Sequence, residues 1–134
     1  MKKIVFLCVE NSCRSQIAEA FTNIYGKEKV TSYSAGSNPS GNINKLAIKL
    51  MRERKYDLTK HQSISTSELP VMEVDTIVSM GCGDSCPSIK AKERIEWNIP
   101  DPKNMELVKF KEVIEEIRQN VLELLKLSKT KIIL

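Results

Sequence analysis

No hydrophobic run in this chain is long enough to span a membrane. The opening, MKKIVFLC, imitates the start of a secretory leader, but its apolar run is only IVFL. Glu10, Asn11 and Arg14 then interrupt it before a leader's hydrophobic region could form, so the protein is expected in the cytoplasm. Aromatic residues are few, at 5%, and no basic arm or aromatic-interleaved basic stretch exists. Nucleic-acid binding therefore has no support. The formal net charge of +4 is mild and suits an anionic substrate. Internal repeats and low-complexity segments are absent too. The one histidine, His61, lies in the polar stretch KHQS and reads as a surface or loop-bracing residue rather than a catalytic base.

What is present is ordinary for a soluble globular protein: 134 residues, 41% hydrophobic and 28% charged. That length suits one domain spanning residues 1–134. Residues 3–8, KIVFLC, read as a fully buried strand. Apolar residues at helical spacing follow from Arg14 to Tyr25, closed by Gly26. Further strands are expected at 30–36, 74–80 and 94–99, and an amphipathic helix at 43–55. Residues 56–64 look extended, and Ser65 with Glu68 has capping-box spacing before a short turn. Leu107, Phe110, Ile114, Ile117, Val121 and Leu124 repeat at three and four, which predicts a long helix. Strands alternate with helices, so an α/β fold with a parallel sheet and helices on both faces is expected.

The four cysteines form two close pairs far apart in sequence: Cys8 with Cys13, and Cys82 with Cys86. In a reducing compartment thiols persist unless they do redox chemistry or bind metal. Cys8 stands at the carboxyl end of the first strand, where open α/β sheets place their ligands. Residues 9–14 form a loop entering a helix. Successive backbone N–H groups in such a loop can curl into an anion-binding nest, and the helix start adds partial positive charge. Arg14 adds a planar fork for two oxygens of a tetrahedral oxyanion. The same field favours the Cys8 thiolate, and a thiolate facing a bound oxyanion is a nucleophile facing its electrophile. Ser15 can donate to that thiolate, and Asn11 tolerates the backbone angles that a tight loop demands. Val9, Glu10, Asn11, Ser12, Cys13, Arg14 and Ser15 are the expected substrate-binding residues.

CVENSCRSQ at 8–16 resembles the signature loop of the low-molecular-weight protein tyrosine phosphatase superfamily. It is still more similar to that of the thioredoxin-coupled arsenate reductases built on the same fold. SAG at 34–36 and DP at 101–102 match the family at the expected places. The resemblance implies a three-layer α/β/α fold with a four-stranded parallel sheet. It implies Cys8 as nucleophile, Arg14 and the loop amides as oxyanion ligands, and Asp101 on a loop over the site. Asp101 can protonate a leaving oxygen, and Pro102 stiffens its loop. In the tyrosine phosphatases a tyrosine usually follows DP; here Lys103 does.

The second cysteine pair separates the two activities. A phosphatase needs one nucleophile and an acid, whereas reducing arsenate to arsenite takes two electrons, which a thiol relay ending in a disulfide can supply. The resemblance implies that Cys82 attacks Cys8 and Cys86 attacks Cys82, leaving a disulfide for thioredoxin or a similar dithiol. Cys82 follows the third strand, between Gly81 and Gly83, where the backbone is pliable. Three residues separate Cys82 from Cys86, fewer than in the family. Cys13 has two readings: a small residue packing the loop, or a redox partner for Cys8.

The expected function is thus thioredoxin-coupled arsenate reduction, with Cys8, Arg14, Cys82, Cys86 and Asp101 catalytic. A redox-regulated phosphatase is the nearest alternative, followed by a non-catalytic anion sensor. The cysteine spacing is also compatible with zinc, but a cation beside Arg14 is unfavourable. In some reductases of this family an acidic residue, the loop asparagine and the serine of SAG help bind potassium. Glu19, Asn11 and Ser34 match these, but the aspartate expected near 64 is absent, since that region reads QSIS. No metal or organic cofactor is expected, and the protein is expected to be a monomer.

Overall fold

A computed structural model describes residues 1–81 and 89–126. The expectations for Cys82, Gly83, Cys86 and the KTKIIL tail lie outside the described residues. Strand β1 (Lys2–Cys8) is followed by helix α1 (Arg14–Tyr25), strand β2 (Val30–Gly36) and helix α2 (Lys45–Glu53). Strand β3 (Glu73–Ser79), strand β4 (Lys90–Glu96) and helix α3 (Leu107–Leu124) complete the order. The four strands form one sheet in the order β2-β1-β3-β4, with every pairing parallel.

β1 is central, which explains its unbroken IVFLC run: all five residues are buried. Its alternate side chains enter two cores. Ile4, Phe6 and Cys8 join residues of α1, α2 and α3, whereas Val5 and Leu7 join Ala35, Leu69 and Ile77 on the other face. Phe6, Phe21 and Phe110 are fully buried in the first core, each contributing roughly 1.5–3 kcal/mol of burial. Gly26 ends α1, its N–H bonding Thr22 O at 2.7 Å.

Helix α2 is shorter than the expected 43–55. Asn44 caps it, its side chain accepting from the Ala47 N–H at 3.0 Å, and Ile43 stays outside. The Ser65/Glu68 capping box forms as expected, opening a short 3-10 turn. A second such turn at 58–60 interrupts the stretch expected to be extended, because Asp57 caps Thr59. The last strand is displaced from the expected 94–99 to 90–96. β4 is an edge strand, so its Lys90, Lys92, Glu93 and Glu96 face water and discourage further strand addition. The apolar cue in RIEWNI came from Trp97 and Ile99, which pack on the core just beyond the strand. Among the described residues no helix is long and apolar enough to cross a membrane.

Candidate active site

The register sets the site. Cys8 ends β1 opposite Gly36 of β2, and Leu7 pairs with Ser79 of β3. The loop after Cys8 therefore emerges at the carboxyl edge of the two central strands, between β2 and β3. Gly36 is obligatory there: a Cβ on it would lie 2.5 Å from Val9 O and 2.9 Å from Asn11 N.

The loop's hydrogen bonding is asymmetric. Every carbonyl from Cys8 to Cys13 has a partner in the protein. Cys8 O accepts from Ser37 N, Val9 O from Asn38 N, Glu10 O from Ser40 N, and Ser12 O from Asn44 N, at 2.8–3.3 Å. Asn11 O accepts from Gln16 Nε2 at 3.0 Å, and Cys13 O from Ile17 N at 2.9 Å. Among the described residues, no N–H of residues 9–13 donates to any other group. Asn11 has φ 49, a left-handed turn that helps consecutive N–H groups converge. Cys13 occupies the N-cap position of α1 without a side-chain cap, and the helix's first turn holds no acid. Free donors at an uncapped helix start have the geometry in which anions bind.

The thiol faces the same pocket, which is lined by Cys8, Ser12, Cys13 and Arg14, together with Glu10, Asn44, Asp101 and Lys103. Cys8 Sγ lies 2.9 Å from Ser15 Oγ. Asn11 Nδ2 donates to that hydroxyl at 2.7 Å, leaving the Ser15 proton free for the sulfur. A donor chain thus runs Asn11 to Ser15 to Cys8, and hydrogen bonds to a charged group favour it. Asn11 is itself locked, its Oδ1 accepting from Ile64 N at 2.9 Å. Arg14 is 10% exposed; its guanidinium donates to Ile99 O at 3.0 Å and lies 3.9 Å from Asp101 Oδ2. A Cβ on Gly81, where φ is +84, would come within 3.0 Å of that guanidinium. Asp101 is half-exposed and accepts from the Lys103 N–H at 3.1 Å. Pro102 behind it is buried.

Cys8 and Cys13 are both free thiols. Burial pushes the Cys13 thiol far up, and the charges of Asp101 and Cys8 push it further, with Arg14 opposing. Cys13 is buried among the residues of the first core, and this shift favours its thiol form. The structure thus brings Cys8, the 9–14 loop, Ser15 and Asp101 together, as expected; Cys82 and Cys86 lie outside the described residues.

Behind the loop lies a buried brace whose partners, Gln16 and Tyr56, the sequence did not single out. Gln16 Nε2 bonds both Asn11 O and Gln62 O. Gln16 Oε1 meets His61 Nδ1 at 2.9 Å, and His61 Nε2 meets the Tyr56 hydroxyl at 2.6 Å. His61 is a loop-bracing residue with only 6% of its side chain exposed, rather than a surface one. Burial, followed by the charge of Lys60, lowers its pKa to about 4. Beside it, burial raises the pKa of Glu19, whose Oε1 accepts from Ser34 Oγ at 2.6 Å. A larger groove of about 780 Å³, between Lys2, Val30, Trp97 and Leu124, lies at the amino ends of β1 and β2, with no cysteine lining it among the described residues.

A model of the low molecular weight phosphotyrosine protein phosphatase family matches residues 3–132. An arsenate reductase of Bacillus cereus is 38% identical over 123 residues, 90% of this chain and 91% of that protein. A glutaredoxin arsenate reductase of Synechocystis sp. is 32% identical over 124 residues, covering 90% of this chain and 94% of the relative. A solved arsenate reductase in its phosphate-binding state superposes with a TM-score of 0.84 at 31% identity, covering 96% of this chain and all of that one. The thioredoxin-dependent arsenate reductase of Corynebacterium glutamicum gives 0.76 at 30% identity, covering 94% of this chain and 61% of that one. A shared fold and these relatives along nearly the whole length place the chain in the low-molecular-weight phosphotyrosine protein phosphatase family, among its arsenate reductases.

Proposed function

We propose that the protein reduces arsenate to arsenite in the cytoplasm through a relay of thiols. The observation that carries this reading is the loop of free N–H donors facing the Cys8 thiol, with all its carbonyls engaged elsewhere. A tetrahedral dianion held by those amides and Arg14 presents its central atom to the sulfur. Cys8 thiolate bonds to arsenic and an arsenate oxygen leaves as water, protonated by Asp101. The Cys82 thiolate then attacks Cys8 Sγ. The sulfur–arsenic bond breaks with its electron pair going to arsenic, releasing arsenite and leaving a Cys8–Cys82 disulfide. Cys86 attacks Cys82, freeing Cys8 and leaving a Cys82–Cys86 disulfide. An external dithiol of the thioredoxin or glutaredoxin class, the reductants that relatives are named for, restores both thiols.

The same pocket would accept a phosphate ester, and Cys8 with Asp101 would suffice to hydrolyse it, so weak phosphatase activity is expected alongside. Single-turnover mixing of reduced protein with arsenate, with no added reductant, tests the reading. About one equivalent of arsenite with a Cys82–Cys86 bridge is expected from the stoichiometry of the relay. Cys82→Ser should stop arsenite formation yet spare aryl-phosphate hydrolysis. No arsenite and four free thiols in the wild type would leave the phosphatase reading in its place.

A further inference from the structure

The Glu10–Lys103 ion pair has no role in the relay. Glu10 belongs to the anion loop, and Lys103 follows the Asp101–Pro102 pair. Lys103 Nζ lies 2.9 and 3.2 Å from the two Glu10 carboxylate oxygens. The Lys103 backbone N–H donates to Asp101 Oδ1. One residue thus holds the acid with its backbone and the anion loop with its side chain. Both partners line the pocket that contains Cys8 and Arg14.

A free oxyanion and a phosphate monoester differ in one place. The ester carries a substituent on the leaving oxygen, the oxygen that Asp101 must protonate. Asp101 lines the same pocket as Glu10 and Lys103, and the Lys103 side chain joins the Asp101 segment to the anion loop there. We propose that the Glu10–Lys103 pair is a strap over the oxyanion pocket that selects free inorganic oxyanions against phosphate monoesters with bulky leaving groups. The proposal rests on the reading of this pocket as an oxyanion site. Lys103 is about half-exposed and Glu10 about a third. An ion pair so open to water is worth at most about a fivefold effect and weakens in salt. The strap therefore biases entry without forbidding it.

Lys103→Met keeps the stem and removes the charge. Its kcat/KM for p-nitrophenyl phosphate should rise about fivefold at low salt relative to its kcat/KM for arsenate. The gain should shrink toward one in about 1 M salt, where screening is nearly complete. Glu10→Gln should give a similar gain, and the double variant should add nothing. Where hydrolysis is too slow to measure, calorimetric binding of phenylphosphonate against inorganic phosphate to Cys8→Ser, with and without Lys103→Met, reads the same ratio. Unchanged or lower ester hydrolysis in Lys103→Met, or additive gains in the double variant, would overturn the strap. If Lys103→Met loses activity toward both substrates, Lys103 is an oxyanion ligand and the strap is wrong. A wild type that makes no arsenite would sink the reductase reading, and the ester ratio would still decide the strap.

Discussion

At the scale of single residues, Ser15 and His61 carry opposite kinds of information. Ser15 touches the proposed nucleophile. Its hydroxyl accepts from Asn11 and faces the Cys8 sulfur, so Ser15→Ala removes the only side-chain donor that reaches the thiol among the described residues. A hydrogen bond to a charged group is worth about 1.5–3 kcal/mol. Alkylation of Cys8 at neutral pH should therefore slow about tenfold or more, read by mass-resolved iodoacetamide kinetics. An unchanged rate would mean that the loop amides alone hold the thiolate. His61 reaches the loop through two hydrogen bonds, by way of Gln16 to Asn11 O. Asn23 donates to the Tyr56 oxygen, so the Tyr56 proton is free for His61 Nε2, and His61 Nδ1–H serves Gln16. Only neutral imidazole fits that chain, in agreement with a pKa near 4. The unfolded chain binds this proton near pH 6.5 and the folded one does not. Stability from His61 is thus full above about pH 6.5 and falls as pH drops toward 4, by about 2 kcal/mol after allowing for partial solvent contact. Glu19, 3.4 Å from Nδ1, works the other way, because its raised pKa lets the folded state bind a proton first on acidification. Asp57 and Lys60, the other charges acting on the ring, oppose one another, Lys60 lowering and Asp57 raising its pKa. His61→Gln isolates the histidine's share. Urea unfolding at pH 7 and pH 4 should show a smaller acid loss in the variant than in the wild type.

At the scale of elements, the site is a junction of strand ends, and what was legible in the sequence follows from that. CVENSCRSQ could be read because anion chemistry is local: thiol, amides and arginine lie within one strand–loop–helix turn. Asp101 was reached through a matching DP pair. Gly36 was reached through the matching SAG, but its close approach to the loop, the Gly81–Arg14 contact and the Gln16–His61 brace act across long sequence separations, and no spacing rule announces them. β4 was misplaced for a related reason. An edge strand of charged residues lacks the apolar run that betrays a central one, and the nearest apolar residues, Trp97 and Ile99, belong to the following segment. Gly36 provides the sharpest test at this scale. Its substitution by alanine drives a Cβ into Val9 O and Asn11 N, both backbone atoms that cannot rotate away. Gly36→Ala should cost about 1–3 kcal/mol of stability from overpacking. It should also abolish phosphate binding by spreading the nest, a loss measured by calorimetry. A stable variant that binds phosphate normally would show that the loop can move aside.

At the scale of the whole molecule, the pocket is where the chain meets itself. β1 supplies the thiol, α1 the arginine, the cap of α2 supplies Asn44, and the segment after β4 supplies Ile99, Asp101 and Lys103. No sub-segment of the described chain contains all of these, so an oxyanion that binds the folded pocket has nothing comparable to bind in the unfolded chain. Binding to the folded state alone adds stability as the logarithm of ligand over dissociation constant, about 2.7 kcal/mol at a hundredfold excess. For a chain of this size that corresponds to a rise in Tm of roughly 8 °C. Inorganic phosphate should therefore raise Tm by about that much, and the shift should persist in Cys8→Ser, which keeps the amides and Arg14. Arg14→Lys should lose most of it. The fork now bonds Ile99 O and lies near Asp101, and a single ammonium cannot hold that contact and two oxyanion oxygens together. Differential scanning fluorimetry across a phosphate series checks all three chains. A full shift in Arg14→Lys would assign the binding to the loop amides, with Arg14 serving only to tie the loop to the segment that carries Asp101.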